Sequence, residues 1–210
     1  MPEDRSEIRA ALDAARAGRV AALRMRLAAR FEAVAAGCPA VLELGCGHGH
    51  FLTAYAAAHP EEYCVGVDLI AHRIERAERK CRRAALGNLD FINTDASEFL
   101  AAIPDGLRFA AFFLLFSDPW PKTRHRKNRL IQTALLDRFA ALAVPGATRL
   151  YFRTDHVSYF NWAEALVKNH PVWKVVPDAP WRFECETIFS ERAPGYQSFV
   201  AECTADGKGS

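Results

Sequence analysis

The stretch AVLELGCGHGHF, residues 40–51, restricts the fold of this chain more than any other. A short apolar run containing Glu43 leads into Gly45, Gly47 and Gly49 at alternate positions, and a helix-like segment begins near His50. Glycines at a strand-to-helix turn allow positive φ and let a ligand approach the backbone, while a helix start offers unpaired N–H groups. Further apolar runs follow, YCVGVD (63–68), LDFIN (89–93), FAAFFLLF (109–116) and ATRLYFRT (147–154), separated by segments that each hold a helix. Repeated strand–helix units with continuously apolar strands imply an α/β fold, a mostly parallel sheet with helices on both faces.

Both ends of the chain depart from this alternation. Before it, Ile8, Leu12, Leu23, Leu27, Phe31 and Val34 recur near helical spacing among many arginines, which predicts one or two amphipathic helices. After His170, VWKVVP and YQSFVAEC flank a polar loop at about 178–195 and predict an antiparallel pair at the C-terminal edge. The expected organisation is a helical extension over 1–36, one domain over 37–205 and a disordered tail over 206–210. Half of the 210 residues are apolar, enough for one sizeable core. Six cysteines without a C-x-x-C pair suit a reducing compartment, with no disulfide frame or zinc site. The start, MPEDRSE, lacks a signal-like apolar region, and the longest apolar run, Phe109 to Phe116, is far too short to span a membrane. A cytoplasmic protein without membrane contact is the expectation.

The glycine loop has a partner further along. Asp68 ends the next strand 19 residues after Gly49, where a carboxylate can take both hydroxyls of a ribose. A dinucleotide fingerprint requires glycine at position 50, which is His50, so a nicotinamide cofactor is disfavoured. The pattern E-x-G-x-G-x-G resembles motif I of class I S-adenosylmethionine-dependent methyltransferases, a Rossmann-like fold. That resemblance implies S-adenosyl-L-methionine as cofactor, held by Glu43, Gly45, Gly47 and Gly49 at its amino-acid end and by Asp68 at its ribose. It also implies Asp95 and the backbone of Ala96, in NTDASEF, at the adenine edge; Asp95 can cap the next helix at the same time. His48 and His50 have no third ligand at a familiar spacing, so no metal is assigned.

A second constellation follows the fourth strand. SDPWPKTRHRKNR places Asp118 at the carboxyl edge of the sheet, across from the glycine loop. Pro119 and Pro121 stiffen the turn around Trp120, which either stacks on a base or walls the cofactor pocket. Lys122, Arg124, Arg126, Lys127 and Arg129 follow with no acid among them, and such a run is better explained by an anionic partner than by a solvated face. Net charge is only +2, so the basicity is local.

FSDPWPKTRHRKNRL is similar to the signature of the tRNA (guanine-N7-)-methyltransferase family, and the similarity continues in LYFRTDHVSYFNWA and ETIFSERAPGYQSFVAE, covering about residues 40–203. The resemblance implies methyl transfer to guanine N7 in the tRNA variable loop, position 46 of tRNA numbering. It assigns Asp118 a catalytic and cofactor-adjacent role, gives Lys122 and Asp155 substrate contacts, and makes Thr187 the start of a C-terminal substrate-binding segment with Glu191 a candidate for its acid; Arg124 and Arg126 of the basic run are expected to hold phosphates of the RNA. The family's acid three residues after the threonine falls on Ser190 here, with Glu191 one further on, and the N-terminal segment does not match the family's leader. Rival readings are a class I methyltransferase acting on another RNA or DNA base, since DPWP resembles a D-P-P-Y loop in outline, and an inactive cofactor-binding RNA subunit. Monomer and homodimer are equally compatible with the sequence.

Overall fold

The computed structural model describes residues 2–34, 40–185 and 195–204. Its frame is a seven-stranded sheet of β1 (Ala40–Leu44), β2 (Tyr63–Asp68), β3 (Leu89–Asn93), β4 (Phe109–Leu115), β5 (Arg149–Thr154), β6 (Trp173–Val175) and β7 (Gln197–Cys203) in the order β3-β2-β1-β4-β5-β7-β6. The first five strands pair in parallel; β7 runs antiparallel to both β5 and β6. The apolar runs therefore form the parallel core and the two late segments its antiparallel edge, as the sequence predicts.

Because the strands are apolar on both faces, alternate side chains feed two cores. Leu42, Val65, Phe112, Leu150 and Phe152 face one side, where they meet α4 (Ala96–Ala102), α5 (Thr133–Leu142) and α6 (Val157–Lys168). Val41, Cys64, Phe113 and Tyr151 face the other, beneath α2 (His50–Ala58) and α3 (Ala71–Arg83). On that second face α2 packs on β4 through Phe51 and Tyr55 against Phe113. Beside it the segment 179–185 packs Ala179, Trp181, Phe183 and Cys185 onto the core, with Trp181 edge-on to Tyr151 of β5. Arg182 latches it to α2: its Nε donates to the Tyr55 hydroxyl at 2.6 Å and its terminal nitrogen to buried Glu62, which also accepts from Tyr55 at 2.5 Å.

The N-terminal region is one helix, α1 (Pro2–Val34), that runs unbroken through Gly18. Its alanine-rich sequence suits continuous helix, and a single exposed glycine costs only about 1 kcal/mol. The C-terminal half joins the first core through buried Leu27 and Phe31. Arg16 and Arg19 reach Ser97 and Glu98 of α4, and Arg30 donates to Asp90 at 2.6 Å. The basic run forms a 3₁₀ turn over Thr123–Asn128, followed by an extended stretch and then α5. The extension carries Ile131 into full burial, and the Gln132 side chain ties it back to the Arg126 and Arg129 carbonyls. No helix among the described residues is long and apolar enough to cross a membrane.

Close approach of α2 and α3 to the sheet depends on Gly49, which has φ 67; a Cβ there would meet the Phe91 ring at 2.4 Å and Ala77 at 2.7 Å. Gly49→Ala combines overpacking with a left-handed backbone and is expected to destabilise the fold by about 2–4 kcal/mol. Urea denaturation measures this, and a change below about 0.5 kcal/mol would show that the contact relaxes freely.

Candidate functional site

Strand order reverses between β1 and β4: the chain leaves β1 toward β2 and β3 on one side, and β4 toward β5 on the other. Open α/β sheets bind ligands at the carboxyl ends of strands around such a reversal. A cleft of about 350 Å³ occupies that place, lined by Glu43, Gly45, Gly47, Asp68, Asp95, Ala96, Asp118 and Trp120 among others. Residues from the ends of β1, β2, β3 and β4, as far apart in the chain as Glu43 and Asp118, thus share one cavity.

The glycine loop is folded over the end of β2. Gly45 and Cys46 N–H groups donate to the Val67 carbonyl at 2.7 and 3.1 Å, and the Gly47 N–H donates to Asp68 at 2.9 Å. Gly45 and Gly47 take φ of 77 and 53, and a Cβ on Gly47 would point into open space, leaving the backbone approachable. Asp68 also accepts from the Ile70 N–H at 2.8 Å and lies 3.8 Å from Arg73. It braces the loop and still lines the cleft, since a carboxylate has about four acceptor positions. Gly49 is the exception among the glycines assigned to the cofactor: it packs against Phe91 and Ala77 and is not part of the cleft lining.

Glu43 is the electrostatic centre of the floor. It is 3% exposed, and its Oε2 has no hydrogen-bond partner among the described residues. Burial, and secondarily the charge of Asp68, pushes its carboxyl up to about 8. A buried acid with an unpartnered oxygen beside an approachable backbone suits a ligand that brings a cation, and the α-ammonium of an amino-acid tail is one. The Glu43, Gly47, Asp68 and Asp95 set thus fits the cofactor inferred from motif I. Also in the cleft lining, burial and then Lys80, Arg76 and Arg73 hold the His48 imidazole below its usual range.

Asp95 caps the next helix as expected and also borders the cleft. Its side chain caps α4 by accepting from the Ser97 N–H at 2.8 Å, and Asp95 and Ala96 line the cleft. Opposite them the Ser117–Pro121 turn is held in an uncommon shape. Phe116 and Trp120 have φ of 51 and 41, positions that cost a non-glycine residue on the order of 1–3 kcal/mol each. Two contacts offset that cost: the Phe116 N–H donates to the Arg153 carbonyl at 2.8 Å, and Arg129 Nε donates to the Pro119 carbonyl at 2.8 Å. Asp118 is exposed and lines the cleft. Trp120 lines it too, edge-on to His125 with ring centroids 5.7 Å apart, so the structure makes it a wall of the cavity.

The basic run divides. Lys122, Arg124 and Lys127 are exposed. Arg126 is half-buried, 6.0 Å from the Trp162 ring. Arg129 is 2% exposed, bonded to Pro119 and Ser158 and stacked over Tyr159 and Trp162, so it is a brace for the loop and not a contact for an RNA phosphate. Asp155 is exposed just beyond β5, outside the cleft lining. Thr187 and Glu191 lie outside the described residues. One residue that sequence reasoning missed is Arg153, which lines the cleft beside Cys185. Its only signal was a charged residue inside the apolar strand LYFRT.

Glu43 makes stability depend on pH. Below about pH 4.5 the group is protonated in both folded and unfolded chains and has no effect; between there and about 8 only the unfolded chain gives up the proton, so stability falls, and above 8 the loss is complete. Glu43→Gln is expected to match the parent near pH 4.5 and to exceed it above pH 8 by on the order of 4 kcal/mol. Urea titrations at the two pH values check this, and a constant difference between the proteins would refute a buried neutral carboxyl.

Comparison with known proteins fits this geometry. The family Methyltransf_4, described as "Putative methyltransferase", matches residues 38–192. The tRNA (guanine-N(7)-)-methyltransferase of Rhodospirillum rubrum is 34% identical over 170 residues, 75% of this chain and 66% of that protein. That of Chelativorans sp. is 32% identical over 172 residues, 76% of this chain and 73% of that protein. For the proteins of the same name from Brevibacillus brevis and Treponema pallidum, the match spans 58% and 62% of their length, so the chain covers less than two thirds of several relatives. Among solved structures, the 16S rRNA methyltransferase KamB superposes with TM-score 0.61 at 17% identity over 83% of this chain and 92% of that one. Precorrin-6y C5,15-methyltransferase from Geobacter metallireducens gives 0.57 at 11% identity over 84% and 87%. These two share the fold. With well over half of its residues inside the family match, the chain belongs to the Methyltransf_4 family.

Proposed function

We propose that this protein transfers a methyl group from S-adenosyl-L-methionine to N7 of a guanine in tRNA, at position 46 in the variable loop. The observation that carries this reading is the cleft at the strand-order reversal, where Glu43, Asp68 and Asp95 meet the Asp118 turn and the exposed cations beside it. The names of the relatives in Rhodospirillum rubrum and Chelativorans sp. support the choice of base and RNA. In this reading the protein works in the cytoplasm, beside its tRNA, and Cys46, Cys64, Cys81 and Cys203 are free thiols.

When bound, S-adenosylmethionine supplies an electrophilic methyl on a sulfonium. Glu43 and the backbone at Gly45 and Gly47 hold its amino-acid end, Asp68 its ribose, and Asp95 with Ala96 its adenine. Guanine N7 carries a free lone pair and loses no proton, so no general base is required. The protein's contribution is alignment, which is worth about 7–11 kcal/mol in a well-oriented bimolecular reaction. Asp118 is exposed at the open side of the same cleft and accepts hydrogen bonds from the guanine edge. Its negative charge favours the cationic purine that forms as N7 is alkylated. Trp120 walls the cavity, and its prolines hold it there. Lys122, Arg124 and Lys127 stand outside the cleft and grip phosphates of the folded RNA.

The deciding experiment is methyl transfer to bulk tRNA from a strain lacking this modification, with nucleoside mass analysis for 7-methylguanosine and mapping of the modified position. Asp118→Ala is expected to lower turnover about 10²–10³-fold while calorimetric affinity for S-adenosylmethionine stays within a few-fold; near-parental turnover would remove Asp118 from the mechanism. Replacing Lys122, Arg124 and Lys127 together by Gln is expected to flatten the plot of log K for tRNA against log salt by about 2, at roughly 0.7 per single-strand contact. An unchanged slope would move the RNA grip elsewhere on the surface.

A further inference from the structure

Arg153 is an anomaly on its strand. Along β5, Leu150 and Phe152 enter one core and Tyr151 the other, and the next position on that second face holds an arginine that is 6% exposed. Its two terminal nitrogens donate to the two Glu184 carboxylate oxygens at 3.0 and 2.8 Å. The guanidinium lies 4.0 Å from the Trp181 ring centroid and 4.4 Å from that of Tyr196, and its Nε has no partner among the described residues. The Arg153 carbonyl accepts from the N–H of left-handed Phe116, two residues before Asp118. Phe116 in turn meets Tyr196 edge-on at 5.9 Å. One residue therefore touches the root of the Asp118 turn, the segment over the second core, and the chain just ahead of β7.

Stability alone does not account for this arrangement. The Arg153 side chain is 7% exposed and that of Glu184 60%, so the cost of desolvating the guanidinium offsets much of what the pair gains. An apolar side chain of similar length would fill the space beside Trp181 and Tyr151 without leaving Nε unpaired. What an arginine adds is direction, because a planar fork that is both bidentate and sandwiched allows its neighbours few relative positions.

We propose that Arg153 is a positioning residue for the methyl-transfer reaction: it sets the Trp181–Cys185 segment and Tyr196 against the Phe116–Asp118 turn and so shapes the side of the cleft that admits the guanine. Arg153 and Cys185 both line that cleft. Glu184 and Tyr196 also flank residues 186–194, which include Thr187 and Glu191. The proposal rests on the tRNA methylation reading, and its test separates the two.

The full chain is compared with Arg153→Met, with Glu184→Gln, whose exposed site is safe for folding, and with the double variant. Each single change is expected to lower kcat/KM for tRNA about 10- to 100-fold while the affinity for S-adenosylmethionine measured by calorimetry stays within about twofold. The double variant is expected to lose no more than Arg153→Met alone, because both changes break one unit. Hydrogen exchange reads the anchoring without any turnover: amides of residues 181–185 and 196 exchange faster in Arg153→Met, while β1 and α2 keep the parental rates. Unchanged exchange overturns the proposal whether or not the protein methylates tRNA. Faster exchange with unchanged kcat/KM, or with cofactor affinity lost in step, overturns it too, by leaving Arg153 a purely structural brace. Absence of methyl transfer by the parent protein sinks the functional reading, and the exchange rates then decide by themselves whether Arg153 anchors the segment.

Discussion

The reversal of strand order between β1 and β4 is the constraint from which the site follows. The chain leaves the ends of these two strands in opposite directions, so their carboxyl ends border a crevice between the loops. What each strand places at its end then becomes cleft chemistry: an acid and glycines after β1, acids at β2 and β3, and a proline-stiffened acidic turn after β4. Four carboxylates around one cavity repel one another, and the structure keeps them by giving each a different environment. Asp68 is stabilised by backbone N–H donors, Asp95 by the start of α4, Asp118 by water, and Glu43 by remaining protonated up to about pH 8.

The second organising contact is the chain segment 179–185, which packs on the second core beside α2. Arg182 fastens it outward to Tyr55 and Glu62 of the α2 region, and two residues on Glu184 fastens it inward to Arg153. Along this stretch Trp181 and Glu184 meet Arg153, while Phe183 meets Phe51 and Tyr55. Cys185, far beyond Asp118 in the chain, thus lines the same cleft, at the end of a segment held by guanidinium contacts on either side. Arg129 uses the same device on the other flank of the turn, bonding Pro119 to α6. Two arginines that look like surface charge in the sequence act as internal braces, because a guanidinium can stack on aromatic faces while its N–H groups satisfy carbonyls and carboxylates.

How far the sequence could be read depended on how local each signal was. The parallel strands were legible because burial on both faces leaves an uninterrupted apolar run. The dual position of Asp95 was legible because capping acts over two residues. Gly49 was legible as a necessary glycine but not in its purpose: Phe91, whose ring fills the space, comes from another strand, and only the crossing of α2 over the sheet brings the two together. The cationic run read as a uniform grip, yet Arg126 and Arg129 turn inward to Trp162 and Tyr159, aromatic partners at least 30 residues away.

The sequence by itself determined the strands, the glycine turn, the acids at the strand ends and the resemblance that names their chemistry. These are properties of short stretches, set by side-chain periodicity and backbone freedom within a few residues. Tertiary structure alone decided which glycines face the cleft, that Trp120 walls it, that Glu43 is buried with an oxygen no described residue reaches, and that Arg153 joins three parts of the chain. Each of those depends on which distant surfaces meet when the sheet is covered, and burial, stacking and desolvation have no value until that packing is complete.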